Sequence, residues 1–141
     1  VSYPVSDGPW RGVTADLDGD GDLDVVTSTA NALGLHFLFN SGTGTFNVTV
    51  PYPIGVSPGE VRAADIDLDG DVDLLVETGG NDVLLVENLG AGVFKRSSFA
   101  SRGAITSLRL ADVNADGRLD VVTAHNGAAD GVSHRLNTCL P

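Results

Sequence analysis

The chain has 141 residues and a mass of 14.5 kDa, enough for one domain with a modest core and too little for a multidomain enzyme. Its formal net charge is -11 and its eight Lys and Arg are scattered with no basic stripe, which leaves nucleic acid and anionic membrane without an electrostatic footing. No stretch approaches the ~20 apolar residues of a membrane span.

The N-terminal residues 1–10 read as the tail of a fourth strand followed by a linker. VSYPVSDGPW aligns without gaps to VPYPIGVSPG further on, pairing Tyr3 with Tyr52 and Pro9 with Pro58. Residues 11–50 form a first unit: a short apolar strand, an Asp-rich loop, the strand DVVTS, the strand LGLHFLFN and a Gly-rich hairpin leading to a fourth strand. Residues 51–98 repeat that order with DLLVE, DVLLVEN and a second hairpin. Residues 99–141 repeat it again but stop after GVSHRLN, before a fourth strand. Asp16 to Asp65 is 49 residues and Asp65 to Asp112 is 47, the period of a four-stranded propeller blade. Runs such as LHFLF and VLLV are apolar almost throughout, as expected for strands covered on both faces. Abundant Gly and β-branched residues, with no sustained 3.6-residue period, disfavour helix. The expected fold is therefore all-β: three four-stranded propeller-type blades in an incomplete or open propeller. The third blade would be completed by the N-terminal strand, in the same chain or from a neighbouring one.

Of the 19 acidic residues, 13 fall in three nine-residue windows that begin at Asp16, Asp65 and Asp112. Carboxylates a few ångströms apart repel by roughly 1 kcal/mol or more per pair, so a bound cation is the natural remedy. Each window fits D-x-[DN]-x-D-G-x-x-D: Asp16, Asp18, Asp20, Gly21 and Asp24; Asp65, Asp67, Asp69, Gly70 and Asp73; Asp112, Asn114, Asp116, Gly117 and Asp120. Side chains at positions 1, 3, 5 and 9 supply oxygen, Gly at position 6 makes the turn, and position 7 offers its backbone carbonyl. Position 7 is Asp22, Asp71 and Arg118; Arg cannot ligate a cation, so the carbonyl is the shared donor. All-oxygen ligation in a flexible shell selects Ca²⁺, and three sites are expected. An EF-hand is excluded at position 12, where the required Glu is replaced by Thr27, Val76 and Thr123,.

These loops and their flanking strands resemble FG-GAP or VCBS-type repeats, the Ca²⁺-binding blades of integrin α-subunit heads. The resemblance covers nearly the whole chain and implies that each loop joins the first two strands of a blade. Relatives close rings of about seven such blades, whereas three are present here, and the Phe-Gly and Gly-Ala-Pro signatures are largely absent.

Elsewhere the sequence offers less. Asn47-Val48-Thr49 is a glycosylation sequon just after a hairpin,. Cys139, the single cysteine, has no internal partner and is either a candidate for a disulfide between chains or a free thiol. His36, His125 and His134 stand apart from any ligand pattern, and no nucleophile or acid/base constellation is present, so enzyme activity is not expected. The absence of Met points to a mature, processed or fragmentary product; no signal peptide or anchor is visible. The expectation is an extracellular or cell-surface structural or adhesion module, stabilised by Ca²⁺. It would associate with copies of itself head to tail, as a closed oligomer or a fibre. The alternatives are a lectin-like propeller, for which Trp10, Tyr3 and Tyr52 offer sugar-stacking rings, or the non-catalytic part of a larger propeller protein or enzyme; Tyr3 and Tyr52, at equivalent repeat positions, read better as packing between blades. Glycans and extracellular proteins are the further partners this implies.

Overall fold

Val, Ile, Thr and aromatic residues suit a pleated, buried surface, and the Gly-rich breaks between them set the turns. The computed structural model describes residues 1–5, 8–29, 31, 33–127 and 130–138, and these form eleven strands and no helix. Sheet 1 has the order β1 (Pro9–Ala15), β2 (Asp24–Thr29), β3 (Gly34–Asn40) and β4 (Phe46–Pro53). Sheet 2 repeats it with β5 (Val61–Ala64), β6 (Asp73–Glu77), β7 (Asp82–Asn88) and β8 (Phe94–Ala100). Sheet 3 has three strands, β9 (Ala104–Ala111), β10 (Asp120–Asn126) and β11 (Gly131–Arg135), with β10 central. All neighbours are antiparallel.

Two cores separate the sheets. Between sheets 1 and 2 lie Leu17, Val26, Leu35, Phe37, Leu74, Val76 and Val86 among others. Between sheets 2 and 3 lie Ile66, Leu75, Val83, Ile105, Leu108 and Val121. Consecutive residues of β6 thus face opposite cores, as a period of two requires, and sheet 2 is apolar on both faces. The first strands run beside one another, β1 by β5 and β5 by β9. Glu60 ties the second of these junctions: it accepts the Leu108 N–H at 2.7 Å and pairs with Arg109 at 2.7 Å and with Arg62.

In-chain completion of sheet 3 is not what the structure shows. Residues 1–5 form no strand. Tyr3 lies instead on sheet 1, its ring edge-on to Phe46 at 5.2 Å and its hydroxyl donating to the Gly44 carbonyl at 3.4 Å. The physical reason is position in the stack: sheet 2 separates sheet 1, where β1 begins, from the β11 edge. Of Asn47 only the backbone, within β4, is described, and Cys139 lies outside the described residues.

Candidate metal centres

Each Asp-rich loop joins the first two strands of its sheet, β1 to β2, β5 to β6 and β9 to β10, and the backbone of each is held by its own carboxylates. At position 1, Asp16 accepts the N–H groups of Gly19 and Gly21 at 2.8 and 2.9 Å. Asp65 accepts those of Asp69 and Gly70 at 3.2 and 3.1 Å, and Asp112 those of Asp116 and Gly117 at 3.1 and 2.9 Å. At position 5, Asp20, Asp69 and Asp116 each accept the N–H of position 7 at 2.9 Å. These Asx-type turns curl the chain. The expected left-handed Gly at position 6 is there, with φ of 92°, 98° and 86° at Gly21, Gly70 and Gly117. Position 4 is also left-handed, and only Gly19 suits it; Leu68 at φ 65° and Ala115 at φ 60° occupy a conformation that disfavours a Cβ,.

Position 9 does more than complete a donor set. Asp24, Asp73 and Asp120 are 0%, 1% and 0% exposed. One oxygen of each accepts the N–H of position 2, from Leu17 at 2.9 Å, Ile66 at 3.0 Å and Val113 at 3.0 Å. The other accepts the N–H of the residue that ends or follows the third strand, from Asn40 and Asn88 at 2.8 Å and Asn137 at 2.7 Å. The loop and the third strand are therefore fastened to one buried carboxylate. Those three Asn side chains were not foreseen as functional, although their recurrence is visible in the sequence. Asn88 Nδ2 donates to the Leu17 carbonyl of the preceding sheet's loop at 3.0 Å, and Asn137 Nδ2 to the Ile66 carbonyl at 2.6 Å. The same staple thus links sheet 2 to sheet 1 and sheet 3 to sheet 2.

Carboxylate oxygens of Asp16, Asp18 and Asp24 come within 4.8 Å of one another, and so do those of Asp65, Asp67 and Asp73. Asp20 and Asp69 lie outside these two groups. In the third loop Asn114 stands at position 3, leaving Asp112 and Asp120 with an amide whose Nδ2 donates to Asp116 at 2.8 Å. At position 7 the Asp22 carboxylate lies against the hairpin at Gly42, where a Cβ would come within 2.9 Å of its Oδ2, and Asp71 lies against Gly90 in the same way at 3.1 Å. Those side chains thus lie against the hairpins, which suits donation through the carbonyl.

The electrostatics fit a cation. Burial, then the charges of Asp20, Asp24 and Asp16, push Asp18 above the usual carboxylate range. Burial and the neighbouring carboxylates, Asp69 first, do the same to Asp67. Asp73 is raised by its burial, against which the N–H groups of Asn88 and Ile66 pull down. Asp116 is instead held low by its hydrogen bonds from Asn114 and the Arg118 N–H. Carboxylates that face one another, with hard oxygen and no sulfur or imidazole in the groups, form a donor set suited to Ca²⁺. An ion there would offset the repulsion and raise the cost of opening the loop.

The FG-GAP-like repeat matches residues 16–76 and again 65–123. The chain belongs to the FG-GAP-like repeat family. Each match runs from one Asp loop into the strand that follows the next Asp loop; the family supports a β-propeller-type repeat module, and FG-GAP repeats generally bind Ca²⁺. No curated protein and no solved structure matches the chain. No helix among the described residues is long and apolar enough to cross a membrane.

Proposed function

We propose that this FG-GAP chain is an extracellular, Ca²⁺-stabilised structural or adhesion module whose three sheets are consecutive propeller-type blades, and that it associates with copies of itself head to tail. It is not an enzyme in this reading. The observation that carries it is the buried position 9 Asp, which joins the acidic loop to the end of the third strand in all three sheets. Whatever holds the loop therefore holds the blade. Asp16, Asp18, Asp20 and Asp24 with the Asp22 carbonyl would hold the first ion. Asp65, Asp67, Asp69 and Asp73 with the Asp71 carbonyl would hold the second, and Asp112, Asn114, Asp116 and Asp120 with the Arg118 carbonyl the third. FG-GAP repeats are typically extracellular, where Ca²⁺ is millimolar and modules bind it with Kd of roughly 10⁻⁴ to 10⁻³ M. Occupancy then contributes on the order of 1 kcal/mol per site, a substantial share of a small domain's stability. The open β11 edge, which no other strand pairs among the described residues, favours association over a free monomer. Calorimetry tests the ion reading: the melting temperature should fall in EDTA and be restored by Ca²⁺. An unchanged melting curve would overturn it.

A second reading, carbohydrate recognition, is favoured by one place. Trp10 is 63% exposed at the rim of a cavity of about 240 Å³ lined by Glu60, Glu77, Ser107 and Arg109, a mixture of ring face and polar groups suited to a sugar. Trp10 is the single tryptophan, so its fluorescence reports directly. A glycan array without hits, and no quenching by soluble saccharides, would remove this reading.

A further inference from the structure

The two stacked junctions share one recipe, and both outer ends of the stack present half of it. A position 2 side chain lies in each inter-sheet core, Leu17 at 1% exposure and Ile66 at 7%. In the third loop the same position, Val113, is 49% exposed. The third strand gives Leu35 at 1% and Val83 at 0% to these cores, while the matching residue of β11, Val132, is 73% exposed. On the opposite end, Val72 and Leu119 at position 8 pack into the cores, whereas Leu23 is 59% exposed. The staple shows the same asymmetry: Asn88 and Asn137 each donate to the preceding loop, while Asn40 Nδ2 donates only to Leu23 of its own loop, at 3.1 Å.

The N-terminal arm adds an independent observation. Tyr52 of β4 packs edge-on against Phe94 of the following sheet at 5.8 Å, and Tyr3, which aligns with Tyr52, packs edge-on against Phe46 of sheet 1 at 5.2 Å. Phe46 and Phe94 are equivalent, each paired with the Asn that ends the third strand. Tyr3 therefore makes the contact of a fourth strand that belongs to a sheet preceding sheet 1, and among the described residues sheet 3 is the one with three strands.

We infer that the exposed face of sheet 3 docks on sheet 1 of a second copy, with the N-terminal arm of that copy as the fourth strand beside β11. This rests on the self-association reading and gives it specific surfaces. Val113 meets Leu23 of the second copy, as Leu17 and Val72 share one core and Ile66 and Leu119 the other. Asn40 Nδ2 of the second copy donates to the Val113 carbonyl. The register follows from Leu35 opposite Tyr52 and Phe37 opposite Val50: Val132 lies opposite Tyr3, and His134 opposite Val1. The junction is heterologous, so it closes a ring of copies or continues as a filament.

The test uses the full chain in millimolar Ca²⁺ and reductant, followed by sedimentation equilibrium. Wild type should associate in a concentration-dependent manner. Leu23→Gln and Val113→Gln alter exposed side chains and add no charge, so each should keep the wild-type melting temperature measured below the association range and its response to EDTA. Each alone should associate at least tenfold more weakly. Mixed together they should give a discrete 1:1 dimer, because one retains the sheet 1 face and the other the sheet 3 face. Deleting residues 1–5 should weaken association without changing the Ca²⁺ response. A monomeric wild type at all concentrations would overturn both this inference and the self-association reading. Association that persists in both variants, or a mixture that yields no dimer, would overturn only the junction proposed here.

Discussion

At the residue scale, Asp73 both scaffolds the loop and belongs to the proposed donor set, whereas Asp67 has little scaffolding to do. Asp73 is buried and accepts two N–H groups, so Asp73→Ala strands both donors. The expected loss is about 2 to 4 kcal/mol, measured by urea unfolding, and it should persist in EDTA because these bonds need no ion. Asp67 is exposed and accepts only the Asp69 N–H, at 3.3 Å. Asp67→Asn should therefore cost stability in Ca²⁺ and little in EDTA. Glu60 gives a pH signature. Its burial would raise its pKa, but the Leu108 N–H, Arg109 and Arg62 together outweigh that and hold it below the ordinary value of 4.5. A depressed carboxylate stabilises the fold above its unfolded pKa and loses that contribution as pH falls through the folded one. Glu60→Gln should thus be less stable than wild type by about 1 to 2 kcal/mol at neutral pH, with the gap closing below about pH 4.5 as the wild-type carboxylate protonates. A gap that stays constant to pH 3 would show that shape, not charge, is what Glu60 supplies. Leu68 sits at φ 65° with its side chain 59% exposed, and Leu68→Gly should relieve roughly 0.5 to 1 kcal/mol of backbone strain, read as a higher urea midpoint.

At the scale of elements, the repeat made the fold legible because two periods coincide in it, the alternation of strands and the 47- to 49-residue recurrence of the Asp loop. The loops fall between first and second strands, position 6 is left-handed, and EF-hand position 12 lies within a strand in all three repeats, as β-branched residues there imply. What stayed hidden was not local. The Asn side chains reach carbonyls 71 residues away, and Glu60 meets residues 48 and 49 positions on; nothing in spacing alone marks such pairs. The left-handed position 4 was masked because Gly, Leu and Ala share it. Packing of Tyr52 between sheets was expected from its repeat position, but its partners in the aromatic corner between sheets 1 and 2 were not: Phe94 lies 5.1 Å from Phe37 and 5.8 Å from Tyr52. Because this half-buried ring reaches across from β8, the outermost strand, Phe94→Ala should cost about 2 to 3 kcal/mol. Hydrogen exchange should place the loss in β3, β4 and β8 first, ahead of β9 to β11.

At the scale of the whole molecule, the two inter-sheet cores are unequal. Among the described residues, ten buried ones form the first and six the second. The corner that Phe94 fills in the first is, in the second, a hollow of about 220 Å³ lined by Leu85, Phe99, Val121 and Leu136 among others. Among the described residues no fourth strand lies there to fill it, and Arg135 stacks on Phe99 at 4.6 Å. In a stack where each sheet touches only its neighbours, stability is close to a sum of nearest-neighbour terms, so sheet 3 should open before the rest. Native-state exchange of a dilute sample should show the β9 to β11 amides opening at a free energy lower than β5 to β7 by on the order of 1 to 3 kcal/mol. Because a second copy would cover the open face of this sheet, its protection should rise with protein concentration while that of β5 to β7 stays fixed. Uniform protection over all three sheets at low concentration would instead mean that the Glu60 network and the Asn137 staple compensate for the smaller core.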